Sequence, residues 1–172
     1  MSEERNNLKN AHEEAVSKNF INLYDSKFAF KKHGDDLVEP DCFFEKGCEK
    51  LGVEVVSIYY SDEHAKKEWD FARSIAKKEK PEGFSSGLLV DQAGMFLERI
   101  QKEINKKCKK KYTGADKTNL CIENRNPLGD DKDLDYFIKN IKIPDNNFAE
   151  IFMLHLSPAH EGGEYKIIKL EK

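Results

Sequence analysis

Long apolar runs are missing from this chain. No stretch approaches the roughly 18 consecutive apolar residues of a membrane-spanning helix, and the opening MSEERNNLKNAHEEA carries no hydrophobic segment of signal-peptide type. A soluble, cytoplasmic protein with no membrane partner is the expectation. A large charge of one sign is also lacking: 29 Lys and Arg face 32 Asp and Glu, a net charge of −3. That balance argues against a histone-like wrapper and leaves room for a local basic patch. The four cysteines, Cys42, Cys48, Cys108 and Cys121, stand at spacings that fit no common zinc pattern. Cys42 and Cys121 lie in apolar strand-like runs and read as buried free thiols. A glycine-rich phosphate loop is absent, because Glu161-Gly162-Gly163 is not followed by Lys and Ser or Thr and reads as a hairpin turn. Ser85-Ser86-Gly87 is a loop with no visible triad partner. The five histidines are scattered, and His155 falls in a strand of core character, where a structural role is expected.

What the chain does have is aromatic residues, 11 Phe and 6 Tyr, which disordered chains usually lack. Its 172 residues suffice for one domain, 1–172, with a core of its own. Apolar spacing predicts a helix over Leu8–Phe20. Alternation then predicts strands at Lys27–Lys31 and Pro40–Glu45, and the strongest at Leu51–Tyr60, apolar on both faces as a covered central strand should be. Ser61 is a candidate N-cap for a helix through Trp69, Phe71 and Ile75 that breaks at Pro81. A longer helix follows over Val90–Tyr112, then a strand at Asn119–Asn124, a short helix at Asp133–Ile141, and strands at Glu150–Leu156 and Glu164–Leu170. The order α-β-β-β-α-α-β-α-β-β predicts an α/β (α+β) protein with a mixed central sheet flanked by helices.

Two acids stand out by position. Asp41 opens the second strand directly after Pro40. Glu54 lies within the third, where an ionised side chain is expensive to bury without a partner. Two carboxylates on neighbouring strands suit a hard divalent cation such as Mg²⁺, which can activate water and offset charge on a phosphodiester. The alternative is that Glu54 points to solvent or pairs with a lysine.

A leading helix with an acid, a strand with Pro40-Asp41, a strand with Glu54-Val55-Val56, then a helix and another strand resemble the PD-(D/E)xK nuclease superfamily, the restriction-endonuclease-like fold. The resemblance covers roughly residues 8 to 124, leaving 125–172 as a C-terminal helix and strand pair. It implies metal-dependent cleavage of phosphodiester bonds in DNA, with Asp41 and Glu54 holding Mg²⁺ or Mn²⁺ and a lysine assisting the attacking water. The family's lysine position, two after the acid, is Val56 here. Lys107, about one turn from Ile104, is the candidate substitute. On the leading helix Glu13 and Glu14 are adjacent, and Glu14, nearer the Ala11 and Ala15 side, is the candidate third carboxylate.

The segment 102 to 111 holds six lysines and one acid. Lysines at a helix end favour the negative pole of its dipole and attract a phosphate backbone without reading sequence. Lys106, Lys109 and Lys110 are therefore candidate nucleic-acid contacts, against the alternative of a solvated helix end. Val56 also keeps open a second reading: a catalytically lapsed member of the same fold that binds nucleic acid or protein. An unrelated α/β binding protein with an incidental strand acid is the third.

Overall fold

The computed structural model describes residues 3–35, 38–59, 61–76, 92–125, 131–156 and 163–171. Along them run α1 (Glu3–Tyr24), β1 (Ala29–His33), β2 (Cys42–Lys46), β3 (Glu49–Tyr59), α2 (Asp62–Ala76), α3 (Gln92–Cys108), β4 (Lys117–Arg125), α4 (Asp131–Asn140), β5 (Glu150–Leu156) and β6 (Tyr165–Lys169). This is the predicted order, and the fold is the predicted mixed α/β class. The strands form one sheet in chain order from β1 to β6. β1, β2 and β3 make an antiparallel meander, β3, β4 and β5 run parallel, and β6 returns antiparallel. Parallel neighbours need a crossover, which α2 and α3 supply before β4 and α4 supplies before β5.

Successive side chains on a strand point to opposite faces, and each face of the sheet has its own core. Leu51, Val53 and Val55 of β3, with Cys121, Phe152 and Leu154, pack against Val16, Phe20 and Ile21 of α1. The intervening positions, Ile58, Leu120, Ile122, Ile151 and Met153, meet Phe96, Ile100 and Ile104 of α3 and Phe137 of α4. Each such aliphatic or aromatic side chain contributes about 1.5–3 kcal/mol by leaving water.

α2 begins as its sequence predicts: the Ser61 hydroxyl accepts a hydrogen bond from the His64 backbone N–H at 3.0 Å, and Asp62 and Glu63 occupy the first turn. Most boundaries shift by a few residues, α1 the most, running Glu3–Tyr24 where Leu8–Phe20 is expected; two of the shifts are at β1 and α3. β1 starts at Ala29 because Asp25 holds a turn after α1, its carboxylate accepting from Lys27 N–H at 3.0 Å and its carbonyl from Phe28 N–H at 3.1 Å. α3 stops at Cys108, four residues short of Tyr112. Tyr112 instead packs on Phe148, ring centroids 5.4 Å apart, and Thr113 N–H donates to the Val38 carbonyl at 2.9 Å. The expected helix break at Pro81, the loop Ser85-Ser86-Gly87 and the turn residues Glu161 and Gly162 lie outside the described residues. Among the described residues no helix is long and apolar enough to cross a membrane.

Candidate active site

β2 is much shorter than β3, and their pairing ends at Cys42 opposite Val53. Residues 54–59 of β3 therefore have β4 on one side and, among the described residues, no strand on the other. Asp41, one residue before Cys42, falls beside Glu54 at the point where pairing stops. Its Oδ2 accepts the Val55 N–H at 2.7 Å, capping a backbone donor that β2 no longer reaches. Two glycines fix the Pro40-Asp41 step. Gly34 N–H donates to the Asp41 carbonyl at 3.0 Å, and a Cβ on Gly34 would lie 1.9 Å from the Pro40 carbonyl oxygen. A Cβ on Gly52 would lie 2.5 Å from the Pro40 ring and 3.0 Å from the Thr118 hydroxyl. Only bare backbone lets proline approach so closely from both sides.

Glu54 alternates with Val53 and Val55, so it faces α3 instead of α1. It is 2% exposed. The last turn of α3 brings Lys107 to it: the ammonium donates to Glu54 Oε1 and lies 3.5 Å from the Val55 carbonyl oxygen. Burial works against the Lys107 charge, but the charges of Glu54 and Asp41 more than offset it and raise its pKa. Asp41 is pushed the other way from the usual carboxylate. Burial, and then the Glu54 charge, raise its pKa from 3.8 to about 6, against the pull of Lys107 and the Val55 hydrogen bond. Tyr112 completes the group. Burial and the charges of Glu54 and Asp41 push its phenol well up, and its hydroxyl makes no well-formed hydrogen bond.

Asp41, Glu54 and Lys107, three sequence candidates from three elements, thus meet. Glu14 does not join them. It binds Lys18 at 2.5 Å and His33 at 2.9 Å, and those partners hold its carboxyl below the usual range. Its neighbour Glu13 stands closer: it pairs with Lys9 at 3.5 Å, its charge acts on Lys107, and it lines the cleft beside that lysine. Among the described residues no group of three His, Cys, Asp or Glu side chains converges tightly enough to hold a metal ion.

That cleft, about 630 Å³, opens where β3 loses its neighbour. Val55 and Val56 form its floor, and α1, α2 and α3 form its walls. Five cations line it, Lys9, Lys66, Arg73, Lys106 and Lys107, against the acids Glu13 and Glu103. Lys106 lines the cleft and pairs there with Glu103 at 3.2 Å. Lys109 and Lys110 lie past the end of α3 and outside the lining; Lys110 sits 5.9 Å from the centre of the Tyr112 ring.

On the opposite face of the sheet a second acid is buried. Glu123 in β4 pairs across the sheet with Ser57, whose hydroxyl donates to it at 2.5 Å. His12 Nε2 lies 2.9 Å from that hydroxyl and 3.2 Å from Glu123, while Arg125 bridges Glu123 at 3.0 Å and Glu68 at 2.5 Å. Burial pushes the Glu123 carboxyl up, and His12, Arg125 and Ser57 together bring it below its ordinary value. Serine and acid share one ring nitrogen of His12, so the three cannot relay a proton as a triad does. The network ties α1 and α2 to β3 and β4. His155, in β5, is buried with its Nδ1 3.1 Å from the Asn124 amide, the structural setting expected of it.

Sequence reasoning passed over Glu123, Tyr112 and the α2 side of the cleft. Signals existed for two of these. Glu123 is an acid inside a predicted strand, as Glu54 is. Lys66, Trp69 and Arg73 recur at the three- and four-residue spacing that aligns one helical face. Tyr112 had none, since its position depends on α3 ending early.

No protein-family model matches the sequence, and no curated protein is similar to it. Among solved structures the chain is distantly similar to SfsA of Pyrococcus furiosus in complex with Ca²⁺, with a TM-score of 0.32 and 12% sequence identity. The likeness covers 96% of this chain and 64% of that one, so the chain spans less than two thirds of that protein's length.

Proposed function

We propose that the chain is a metal-dependent nuclease of the PD-(D/E)xK type, hydrolysing phosphodiester bonds in DNA with Asp41, Glu54 and Lys107 at its centre. The observation that supports this most is that Asp41 stands beside the Lys107–Glu54 pair, a second buried carboxylate that a simple lysine–glutamate pair does not call for. Val56 cannot supply the motif's ammonium, and Lys107 brings one to the same carboxylate from α3.

The donors at the site fit a hard divalent cation, Mg²⁺ or Mn²⁺. Glu54, the Val55 carbonyl, and the Asp41 oxygen outside the Val55 bond are all hard oxygens. Mg²⁺ is usually held by one or two carboxylates and keeps several waters. The pKa of Asp41 is raised first by burial and then by the Glu54 charge, and a cation would relieve the repulsion between the two carboxylates. Bound there, the ion would activate water and offset phosphodiester charge. The chain's own residues do the rest. Asp41 is locked by its two backbone bonds and needs no reorganisation. Lys107 pairs with Glu54 in a buried place, and its ammonium is the donor nearest to where an attacking water or a phosphate oxygen would meet Glu54. The cationic walls hold the phosphate backbone over this floor.

In a supercoiled-plasmid nicking assay with Mn²⁺, wild-type protein should cut. Glu54→Gln and Lys107→Met, checked for folding by circular dichroism, should each lose about 100-fold or more, the scale of removing one electrostatic stabiliser from an active site. Folded protein that binds Mn²⁺ and cuts no form of DNA or RNA would instead establish the lapsed reading, for which Val56 is the specific support.

A further inference from the structure

We infer that the cleft takes single-stranded nucleic acid, with a base stacked on Trp69 and the backbone held by Lys66, Arg73 and Lys106. This substrate class deepens the hydrolytic reading and rests on it for the fate of the bound strand.

The shape of the cleft argues first. Its 630 Å³ equals a cube of about 9 Å edge, within the size range of small-ligand pockets. The major groove of a duplex alone is about 12 Å wide, so an intact duplex meets only the rim, and a supercoiled plasmid would be cut where it is locally unpaired. Lys107 and Val55 lie inside, at the floor. One unpaired strand can descend to them.

The walls argue second. Lys66, Trp69 and Arg73 line the cleft from one face of α2, a cation, an aromatic ring and a cation in turn. A charged groove with an aromatic platform is how proteins hold single strands, because every base offers a π-face whatever its sequence. Trp69 is partly exposed, and its ring is braced by His12 with centroids 5.3 Å apart at 71°. Lys66 is exposed and has no ion-pair or hydrogen-bond partner among the described residues. No Asn or Gln is found among the described lining residues. Without such amides there is little to read base edges, and the expected binding is tolerant of sequence.

Trp69 is the single tryptophan of the chain, so selectively excited tryptophan emission reports on the surroundings of this one ring. The test is a titration of the metal-free protein in EDTA with an oligothymidylate of about 12 nucleotides, and with a blunt duplex of the same length at the same salt. The oligothymidylate should change Trp69 emission saturably and bind at least about tenfold more tightly than the duplex. Lys66→Gln combined with Arg73→Gln should flatten the salt slope by about 1.4, or 0.7 per lost single-strand contact. Trp69→Ala, followed by anisotropy of a labelled oligothymidylate, should weaken binding roughly 5- to 150-fold; Trp69→Phe should retain most of it. Equal or tighter duplex binding, or an unchanged slope in the double lysine–arginine variant, overturns the inference. Plasmid nicking with no Trp69 response to the oligothymidylate overturns it too and leaves the hydrolytic reading standing. A Trp69 response in a protein that never cuts does the reverse.

Discussion

Asp41 carries a conflict that stability measurements can read. The folded protein holds its proton up to about pH 6, whereas an ordinary aspartate releases it near 3.8. The folded state therefore binds more protons than the unfolded chain across that window, and stability falls as pH rises through it. The shift of about two units corresponds to at most about 3 kcal/mol, less whatever solvent reaches the partly exposed side chain. Asp41→Asn keeps the oxygen that accepts the Val55 N–H and removes the charge beside Glu54. In EDTA it should raise urea stability at pH 7 by about 1–3 kcal/mol and by close to nothing at pH 4. A variant less stable than wild type at pH 7 would show that the carboxylate supports the fold and is not held there against it. Such strain at a candidate site matches the general trade between activity and stability. Asp41 and Glu54 were legible in the sequence because an acid at a strand start and an acid within a strand both break the local apolar pattern. The choice between Glu13 and Glu14 was not, because adjacent helical residues differ only in how the helix is rotated against the sheet.

At the scale of elements, the site depends on how β3 carries the step into β2. Gly52 in β3 pairs with Phe43 and leaves room for the Pro40 ring. A methyl group there must push Pro40, and with it Asp41, out of register with Val55. Gly52→Ala should cost about 1–3 kcal/mol through overpacking. Under conditions where it remains folded it should also slow cleavage by about 10- to 100-fold, since small misplacements at a reacting centre are amplified. Unfolding titrations paired with nicking rates check this. Lost stability with an unchanged rate would free Asp41 from the proline clamp. The order of elements was readable from periodicity alone, and so was the Ser61 cap. Where α3 ends was not. Lys109, Lys110 and Lys111 give no apolar signal for or against continuing a helix, and the chain beyond Cys108 is held by contacts of Tyr112 with Phe148 and Thr113 with Val38, which are distant in sequence.

The molecule as a whole divides its two buried acids between the faces of one sheet. Glu54 faces α3 and meets Lys107, whereas Glu123 faces α1 and α2 and is enclosed by His12, Ser57 and Arg125. The first lies behind Lys107, which lines the cationic cleft, and the second fastens that cleft's walls to the sheet. The strand pattern told which side chains share a face, but the cleft itself was hidden, because it exists only where β2 stops pairing and three helices converge on the uncovered length of β3. The central claim is that Asp41 and Glu54 jointly hold a divalent cation there. Calorimetric titration of Mn²⁺ into the wild-type protein and into folded Asp41→Asn, Glu54→Gln and the double variant tests it most directly. The account predicts one ion per chain in the wild type, with a matching rise in melting temperature from preferential binding to the folded state, and neither in any of the variants. Undiminished binding in the double variant would contradict it and locate the ion elsewhere.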